Sequence, residues 1–368
     1  MLSGGGARAA YQVGVLSAIA ERVPDLHVPI LSGVSAGAIN TVTLAAHPGL
    51  FAARLRALRH EWAHLTVDHV YRVRVGGLAR SAGRWILQRF RSRRKAPTVV
   101  RGVMDMDPLR EFLSARVSLA GIQANVAGGR LSAVTLGATC YDTGDTVTFV
   151  QGGTDLPMWT RAQRRSVQTE LSWDHVMASS AIPILFPAVR IGGLYYGDGS
   201  VRQGAPLAPP IHLGARKILA VAMRPHDLRY DQVTAHPEYP SAAQVMGMLF
   251  HSIFLDSLET DAERLERLNH LVRRLAPEER AAVGLDYIKL LVLRPSVDLG
   301  ALARPHFSRL PPLMRRIVDS MGGQKRGSAD FLSYLLFDPA YVGPLIELGY
   351  DDAMEQWDRI EQFLADGE

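Results

Sequence analysis

The segment Gly33-Val34-Ser35-Ala36-Gly37 decides the fold class of this 368-residue chain. It follows a short apolar run, Val28 to Leu31, that is typical of a buried strand, and it leads into a segment of helical character from Ala36 to Ala46. A serine between two glycines at a strand-to-helix turn matches a nucleophile elbow, in which a tight turn holds the hydroxyl clear of the backbone. Ser35 is therefore the candidate nucleophile, with Gly33 and Gly37 as the elbow glycines. A chance match in a glycine-rich loop is the alternative.

A second glycine-rich stretch, Gly4-Gly5-Gly6-Ala7-Arg8, lies ahead of another helical pattern. Consecutive glycines expose backbone N–H groups, and such groups suit an oxyanion or a phosphate. The G-x-G-x-x-G dinucleotide pattern is not completed, because Ala9 occupies its last position, and no G-K-[ST] follows for a P-loop. Taken alone, the loop is a weak signal that fits either an oxyanion or a phosphate, and a phosphate- or nucleotide-binding protein is the alternative from another functional class.

Asp198 lies between Gly197 and Gly199, at the end of a predicted strand. A carboxylate there could accept the proton of a serine hydroxyl if the fold brings the two groups together. The other interpretation is structural, because Asp-Gly is a common short hairpin turn. Taken alone, Asp198 fits the turn better.

In their order along the chain, these three motifs resemble those of the patatin-like phospholipases. Gly4 to Arg8 are similar to the oxyanion loop of that family, Gly33 to Gly37 to its nucleophile elbow, and Asp198-Gly199-Ser200 to its catalytic aspartate motif. The resemblance covers roughly residues 1 to 225. It extends to the segments that flank the aspartate, namely Ala178 to Pro183, Phe186-Pro187 and Arg202 to Leu207. Three ordered motifs are more specific than any one of them.

The resemblance implies a serine lipid acyl-hydrolase of the phospholipase A or lysophospholipase type, acting through an acyl-enzyme. Ser35 would attack the ester carbonyl, and Asp198 would be its general base without a histidine. The backbone N–H groups of Gly4, Gly5 and Gly6 would stabilise the oxyanion, and Arg8 would support that loop or the lipid phosphate. No metal or cofactor is implied. Two positions depart from the family pattern, Ala9 in the loop and Ser200 after the aspartate.

Two rival catalytic sites remain open. A Ser-His-Asp esterase would use a histidine after Asp198, for which His212 and His251 are the candidates. The segment His60-Glu61-Trp62-Ala63-His64 matches the H-E-x-x-H pattern of zinc proteases. We expect this match to be coincidental, because no further ligand motif follows and the charged residues around it are typical of a solvated helix.

Strands alternating with helices predict a three-layer α/β fold with a mainly parallel central sheet. Three parts are expected: a catalytic core over residues 1–225, a helical insertion with the final core strand over 226–300, and a C-terminal helical extension over 301–368. The lone cysteine, Cys140, excludes an intrachain disulfide and is expected to lie in a buried strand. The sequence does not indicate an oligomeric state.

Charge and hydropathy limit the cellular locations and the binding partners that the sequence allows. No apolar run is long enough to span a membrane, and no signal peptide is visible, so a cytoplasmic or peripheral-membrane protein is expected. The glycine loop starts almost at Met1, where most of a preceding strand would be absent, so a missing upstream segment is left open. The net charge is only +5, but the segment Arg84 to Lys95 interleaves basic and apolar residues, which suits an anionic membrane surface or a solvated helix. No nucleic-acid motif accompanies it.

Overall fold

The computed structural model describes residues 1–73, 102–225, 239–322 and 329–365. The basic segment Arg84 to Lys95 lies outside these ranges, so its membrane role stays a prediction. Among the described residues, no helix is long and apolar enough to cross a membrane.

Strands and helices alternate along the first half of the chain, and helices dominate the second. The strands are β1 (Ile30–Val34), β2 (Arg72–Val73), β3 (Met104–Asp105), β4 (Ala133–Cys140), β5 (Thr146–Gly152), β6 (Thr160–Arg161), β7 (Arg164–Gln168), β8 (Val189–Ile191), β9 (Leu194–Asp198), β10 (Lys217–Val221) and β11 (Lys289–Leu293). The helices up to the middle of the chain are α1 (Ala10–Arg22), α2 (Ala36–Ala46), α3 (Phe51–Ala63), α4 (Val67–Val70), α5 (Asp107–Ser114), α6 (Ala120–Ala127), α7 (Trp173–Ser180) and α8 (Ala208–His212). The later helices are α9 (Ala242–Phe254), α10 (Asp256–Val272), α11 (Pro277–Val283), α12 (Pro312–Ser320), α13 (Ala329–Leu335), α14 (Pro339–Glu355) and α15 (Trp357–Ala365). Short 3-10 turns cover Gly6–Ala9, Gly199–Val201 and Ala301–Arg309.

The predicted α/β fold with helices flanking a central sheet is confirmed, although the sheet is mixed and not mainly parallel. Parallel pairs join β1 to β4, β5 to β7, and β10 to β11. Antiparallel pairs join β4 to β5 and to β9, and β9 to β8. The β4–β5 hairpin follows from a short turn, Asp142 to Asp145, between two apolar runs. Cys140 is buried at the end of β4, as expected.

Leu2 joins the two parts of the sheet. It forms parallel bridges with Gly33 of β1 and with Val221 of β10, so it lies between these two strands. Its N–H donates to the Ser32 carbonyl at 2.8 Å, and its own carbonyl accepts from Val34 N at 3.3 Å. The glycine loop therefore starts directly from a position inside the sheet.

The C-terminal helices contact the N-terminal ones closely. Helix α14 crosses α1 where both carry a glycine: a Cβ atom at Gly14 would collide with the Ile346 carbonyl, and one at Gly349 with the Tyr11 carbonyl. Tyr11 also donates from its hydroxyl to Asp352 at 2.9 Å. Helix α13 contacts the 3-10 turn that follows the first glycines. The three-part division of the chain stays a prediction, but its last part is in direct contact with the first.

Candidate functional site

The candidate nucleophile occupies a strained turn between β1 and α2. Ser35 has φ of 55° and ψ of −131°, a backbone conformation that a residue with a side chain rarely adopts. Such strain is characteristic of functional turns, where the surrounding structure holds the residue in place. The side chain lies at the N-terminus of α2, whose first residue is Ala36 and whose partial positive charge favours a nearby anion. The predicted elbow geometry is therefore present at Ser35.

The two elbow glycines are needed for close packing. A Cβ atom at Gly33 would collide with the Thr41 hydroxyl and with the Gly37 carbonyl. A Cβ atom at Gly37 would collide with the Leu2 carbonyl. Helix α2 can therefore approach the residues that precede the glycine loop only because position 37 has no side chain.

The register of β4 brings Asp198 to Ser35. Strands β1 and β9 lie along the same edge of β4: Val34, the last residue of β1, pairs with Gly137, and Asp198, the last residue of β9, pairs with Ala138. The two strands approach each other from opposite directions and end at neighbouring positions of β4. The residue that follows Val34 is Ser35, so the serine and the aspartate meet at this joint. A Cβ atom at Gly199 would collide with the Gly137 carbonyl, which explains the glycine after the aspartate.

The Asp198 carboxyl group is fully buried, and this burial raises its pKa to about 7. Contacts with the Ser35 side chain and with the backbone and side chain of Ser200 oppose this rise. One carboxylate oxygen accepts a hydrogen bond from Ser200 N at 2.9 Å, whereas Oδ2 has no well-formed hydrogen bond. The Ser35 contact is thus looser than a full hydrogen bond, as is common for catalytic pairs without substrate. A carboxyl group with a pKa near 7 is matched to proton transfer at neutral pH.

The glycine loop passes directly over the elbow. A Cβ atom at Gly4 would lie 3.0 Å from Ser35 Cβ, and one at Gly6 would collide with the Tyr334 carbonyl. Gly6 has φ of 58°, in the left-handed region that favours glycine. Within the described parts of the chain, the N–H groups of Gly4, Gly5 and Gly6 donate to no protein acceptor. Three free donors beside the serine could receive an oxyanion.

Arg8 is buried and points away from the elbow. Its guanidinium donates to Ser333 Oγ at 2.7 Å and to Asp330 Oδ1 at 2.9 Å, both on α13. The same group lies over the Tyr334 ring, 4.5 Å from its centroid, and is 3.3 Å from His251 Nε2. Because Arg8 is only 1% exposed, this geometry supports the first of its two predicted roles, holding the loop, rather than contact with a lipid phosphate.

A buried polar chain that the sequence did not reveal ties three helices to the loop. Trp62 Nε1 of α3 donates to Asn40 Oδ1 at 2.7 Å, and Asn40 Nδ2 of α2 donates to Gln12 Oε1 at 2.9 Å. Gln12 Nε2 of α1 then donates to the Ser3 carbonyl at 2.8 Å, one residue before Gly4. Isolated Asn and Gln residues give no pattern from which this network could be predicted.

Two serines of α7 clamp the elbow backbone. Ser35 N donates to Ser179 Oγ at 3.0 Å, and Ser180 Oγ donates to the Ser35 carbonyl at 3.1 Å. The next residue, Ala181, accepts from Asp198 N at 2.9 Å, so the same segment contacts both members of the pair. In the sequence these serines are the adjacent pair Ser179-Ser180 ahead of Pro183, within a segment that flanks the aspartate motif.

The rival catalytic histidines lie elsewhere. His212 stacks on Trp159 with ring centroids 4.7 Å apart. His251 Nε2 is 3.0 Å from Asp330 Oδ1, in the group around Arg8. Neither histidine contacts Ser35 or Asp198 among the interactions of the described residues, so the Ser-His-Asp arrangement lacks its histidine.

The two histidines of the H-E-x-x-H match lie side by side, while its glutamate is paired with an arginine. The His60 and His64 rings lie 4.3 Å apart, but Glu61 forms an ion pair with Arg116 at 2.9 Å. Within the part of the chain that the structure describes, no group of three or more His, Cys, Asp or Glu side chains could hold a metal ion.

A narrow apolar crevice adjoins the elbow. It encloses about 40 Å³, has Ala36 in its lining and is lined mainly by apolar side chains, most of them on α2, α3 and α5. A larger cavity of about 650 Å³ lies at the opposite end of β1 from Ser35 and does not reach the serine. The crevice is therefore the candidate path for an apolar substrate group.

A family model covers the part of the chain that contains the candidate site. A family model described as patatin-like phospholipase matches residues 1–211, more than half of the chain and the part that contains Ser35 and Asp198. Among solved structures, VipD from Legionella pneumophila is similar at 12% identity and a TM-score of 0.38, over 97% of this chain and 66% of that chain. This chain thus spans just under two thirds of the VipD length. No curated protein matches it.

The chain therefore belongs to the patatin-like phospholipase family. The family is named for phospholipase activity, which is a lipid acyl-hydrolase activity.

Proposed function

We propose that this protein hydrolyses carboxylic esters of phospholipids or related acyl lipids through a dyad of Ser35 and Asp198. The observation that carries the proposal is the joint at β4, where the last residue of β9 is the aspartate and the residue after β1 is the serine. A nucleophile needs a base within reach, and here the buried Asp198 carboxyl lies against the Ser35 side chain.

The reaction would begin with attack of Ser35 Oγ on the ester carbonyl, while Asp198 takes the hydroxyl proton. The negative charge that develops on the carbonyl oxygen would be met by the free N–H groups of Gly4, Gly5 and Gly6. Collapse of the tetrahedral intermediate breaks the ester C–O bond, and the proton on Asp198 passes to the leaving alcohol. Water then attacks the acyl-serine while Asp198 takes its proton. The bond between the acyl carbon and Ser35 Oγ breaks, the proton on Asp198 passes to Oγ, and the free acid departs.

The surroundings of the dyad support a lipid substrate. The apolar crevice at Ala36 would receive the start of the acyl chain, whose burial among aliphatic and aromatic side chains is favourable. Whether the ester is that of a diacyl phospholipid, a lysophospholipid or another acyl lipid is part of the proposal to be tested. Peripheral binding to an anionic membrane through the segment Arg84 to Lys95 is likewise a part of the proposal that needs a test.

The alternative, a phosphate- or nucleotide-binding protein that uses the glycine loop, has weaker support. The loop lies against Ser35 and Phe254, and a Cβ atom at Gly4 would lie 3.2 Å from Phe254 Cδ1. Arg8, the cation nearest the loop in sequence, is turned towards Asp330 instead of the loop N–H groups. Arg8 is therefore not placed to pair with a phosphate bound at the loop in the way that such sites use.

Labelling with a fluorophosphonate probe tests the proposal, because only an activated serine reacts. We expect the wild type to be labelled at Ser35 and to hydrolyse at least one class among phospholipids, lysophospholipids, acylglycerols and short-chain esters. Ser35→Ala should lose labelling and lower hydrolysis by roughly 10⁴-fold or more. Ser114→Ala, at an exposed serine, is the matched control and should behave as the wild type.

Labelling of a different residue, or unchanged hydrolysis by Ser35→Ala, would contradict the dyad. The hydrolysis assay, repeated on anionic and zwitterionic vesicles at low and high salt, tests the proposed binding to an anionic membrane. A rate that is insensitive to lipid charge at low salt would argue against it.

A further inference from the structure

Two buried polar atoms without a hydrogen-bond partner lie at the dyad. Asp198 Oδ2 and Ser200 Oγ are both shielded from solvent, and neither has a well-formed hydrogen bond among the described residues. Buried polar atoms are nearly always paired, because leaving one unpaired costs free energy. The Ser200 side chain contacts the Asp198 carboxyl group, and this contact lowers the pKa of the aspartate against the effect of burial. The hydroxyl of Ser200 and the carboxylate of Asp198 are therefore a donor and an acceptor within reach of each other.

The backbone of Ser200 is already bound to the same carboxyl group. Ser200 N donates to Asp198 Oδ1 at 2.9 Å. The turn between them is fixed from β4, because Thr139 Oγ1 donates to the Asp198 carbonyl at 2.8 Å and a Cβ atom at Gly199 would collide with the Gly137 carbonyl. On a backbone held in this way, a serine side chain can still rotate to meet an acceptor.

Ser200 lies under the glycine loop together with the candidate nucleophile. A Cβ atom at Gly4 would lie 2.7 Å from Ser200 Oγ and 3.0 Å from Ser35 Cβ, so both serines face the same point of the loop. Both are buried, with 5% of Ser200 and 2% of Ser35 exposed. In such a space water competes little for the carboxylate, and a hydrogen bond to it is stronger than at the surface.

The titratable side chains around this turn do not replace Ser200 as a donor. Tyr141 follows β4, and its hydroxyl lies where a Cβ atom at Gly197 would be. Burial and then the charge of Asp198 raise the pKa of Tyr141, so it stays neutral at pH 7. The other titratable groups on the neighbouring elements have partners of their own: Cys140 with Tyr196, His175 with Ser172, His251 with Asp330, and Asp256 with Arg224.

We propose that Ser200 is a positioning residue of the dyad, whose hydroxyl donates to Asp198 Oδ2 once the carboxylate is ionised. A donor stabilises a carboxylate more than the neutral acid, so this hydrogen bond favours the form of Asp198 that can take the Ser35 proton. The Ser200 proton stays on its own oxygen throughout. This role rests on the proposed hydrolysis, and it is particular to this chain, because Ser200 departs from the family pattern.

Ser200→Ala removes the hydroxyl and keeps the Cβ atom. The pH dependence of kcat/KM on a short soluble ester, from pH 5 to 9.5, reports the pKa of the base in the free enzyme. The wild type should lose activity below about pH 7, and Ser200→Ala below a pH about one unit higher, which is the order of shift that a hydrogen bond to an ionised group produces. The variant should thus be about tenfold less active than the wild type at pH 6 and within about twofold of it at pH 9.5.

Ser17→Ala is the matched control, because the Ser17 hydroxyl donates to the Val13 carbonyl of its own helix at 2.6 Å. It should keep the wild-type pH profile. If Ser200→Ala does not fold, Ser200→Gly takes its place, since it also lacks the hydroxyl and introduces no new atom. The pH dependence of Tm gives a second measure that does not require hydrolysis. A carboxyl group with a raised pKa loses stability as pH rises to that pKa, so the fall in Tm should end about one pH unit higher in Ser200→Ala than in the wild type.

A shifted profile with activity recovered at pH 9.5 would support the proposal. A wild-type profile that falls near pH 7 and does not move in Ser200→Ala would overturn it. An equal loss of activity at every pH would also overturn it, because Ser200 would then act on the oxyanion or on the packing of the loop. A wild type that hydrolyses no ester would contradict the proposed hydrolysis instead, and the two Tm profiles would still decide whether Ser200 donates to Asp198.

Discussion

Residues 1–211 and the residues after them contribute to the candidate site in different ways. The first region contains Ser35, Asp198 and the glycine loop, and it is the region that the family model matches. The second region contributes α9 and α13, whose side chains surround Arg8: Asp330 is 322 residues away from it in sequence. The proposed chemistry therefore lies in one region, while the other holds the loop on which that chemistry depends.

The difference shows how a short motif depends on distant contacts. A glycine loop is flexible, and its three N–H groups can stabilise an oxyanion only if they are held in place. Arg8 is anchored by an ion pair with Asp330 and by Ser333, and Tyr334 packs its carbonyl against Gly6. Burial alone would raise the pKa of Asp330, but His251 and Arg8 lower it overall, so the carboxylate stays charged beside the guanidinium.

The largest effect should come from the region of the motifs. Asp198→Asn should lower kcat/KM by roughly 10³-fold or more, because an amide cannot take the Ser35 proton. In the wild type, activity should fall about tenfold for each pH unit below 7, since burial raises the pKa of Asp198 to about 7 and the base must be ionised. A pH–rate profile from pH 5 to 9 measures both. A wild-type profile that is flat down to pH 5 would contradict this role.

The stability of the folded protein should change with pH in the opposite direction to its activity. The folded state keeps the Asp198 proton up to about pH 7, whereas the unfolded chain releases it above about pH 4. Stability from this group is therefore lost as pH rises from about 4 to about 7. Asp198→Asn should show a smaller fall in Tm over this range than the wild type, which separates the loss of a base from a loss of folding.

An intermediate effect is expected from the second region. We propose that Asp330 is a positioning residue, and this rests on the proposed hydrolysis. Asp330→Asn keeps the shape of the side chain but removes the charge that anchors Arg8, so the loop N–H groups should be held less firmly. We expect kcat to fall roughly 10-fold while KM changes little, because the oxyanion forms only in the transition state. Steady-state kinetics on a short soluble ester measures this split.

Asp358→Asn, at an exposed aspartate in the first turn of α15, is the control and should leave both constants unchanged. Ser333→Ala, which removes a neutral partner of Arg8, should have a smaller effect than Asp330→Asn. Fluorophosphonate labelling of Ser35 should persist in both variants, more slowly. An unchanged kcat in Asp330→Asn would show that the second region does not position the loop. The proposed roles of Ser35 and Asp198 would not be affected by that result.

Local motifs were predictable from the sequence, and the contacts between them were not. The elbow at Ser35 and the Asp198 turn follow from glycines beside short apolar runs, which are local patterns. That β1 and β9 end at neighbouring residues of β4 depends on strand register, which no local pattern specifies. Helix α13 similarly has the composition of a core helix, and nothing in it indicates that Asp330 binds Arg8.

The smallest effects should come from the histidines. His212 stacks on Trp159, and its pKa is lowered by burial and by nearby arginines, so His212→Gln should change kcat/KM by less than about twofold. His251 contacts Arg8 and Asp330, so His251→Gln should lower activity a few-fold and act through the second region. A Ser-His-Asp triad requires instead that one of the two substitutions remove several orders of magnitude, because its histidine carries the proton. Assays of both histidine variants in parallel with Asp330→Asn distinguish these cases. If the dyad is correct, the loss of kcat/KM should be graded among the three variants, and His212→Gln should lose least. Loss of nearly all activity in either histidine variant, with its fold intact, would replace the dyad by a triad.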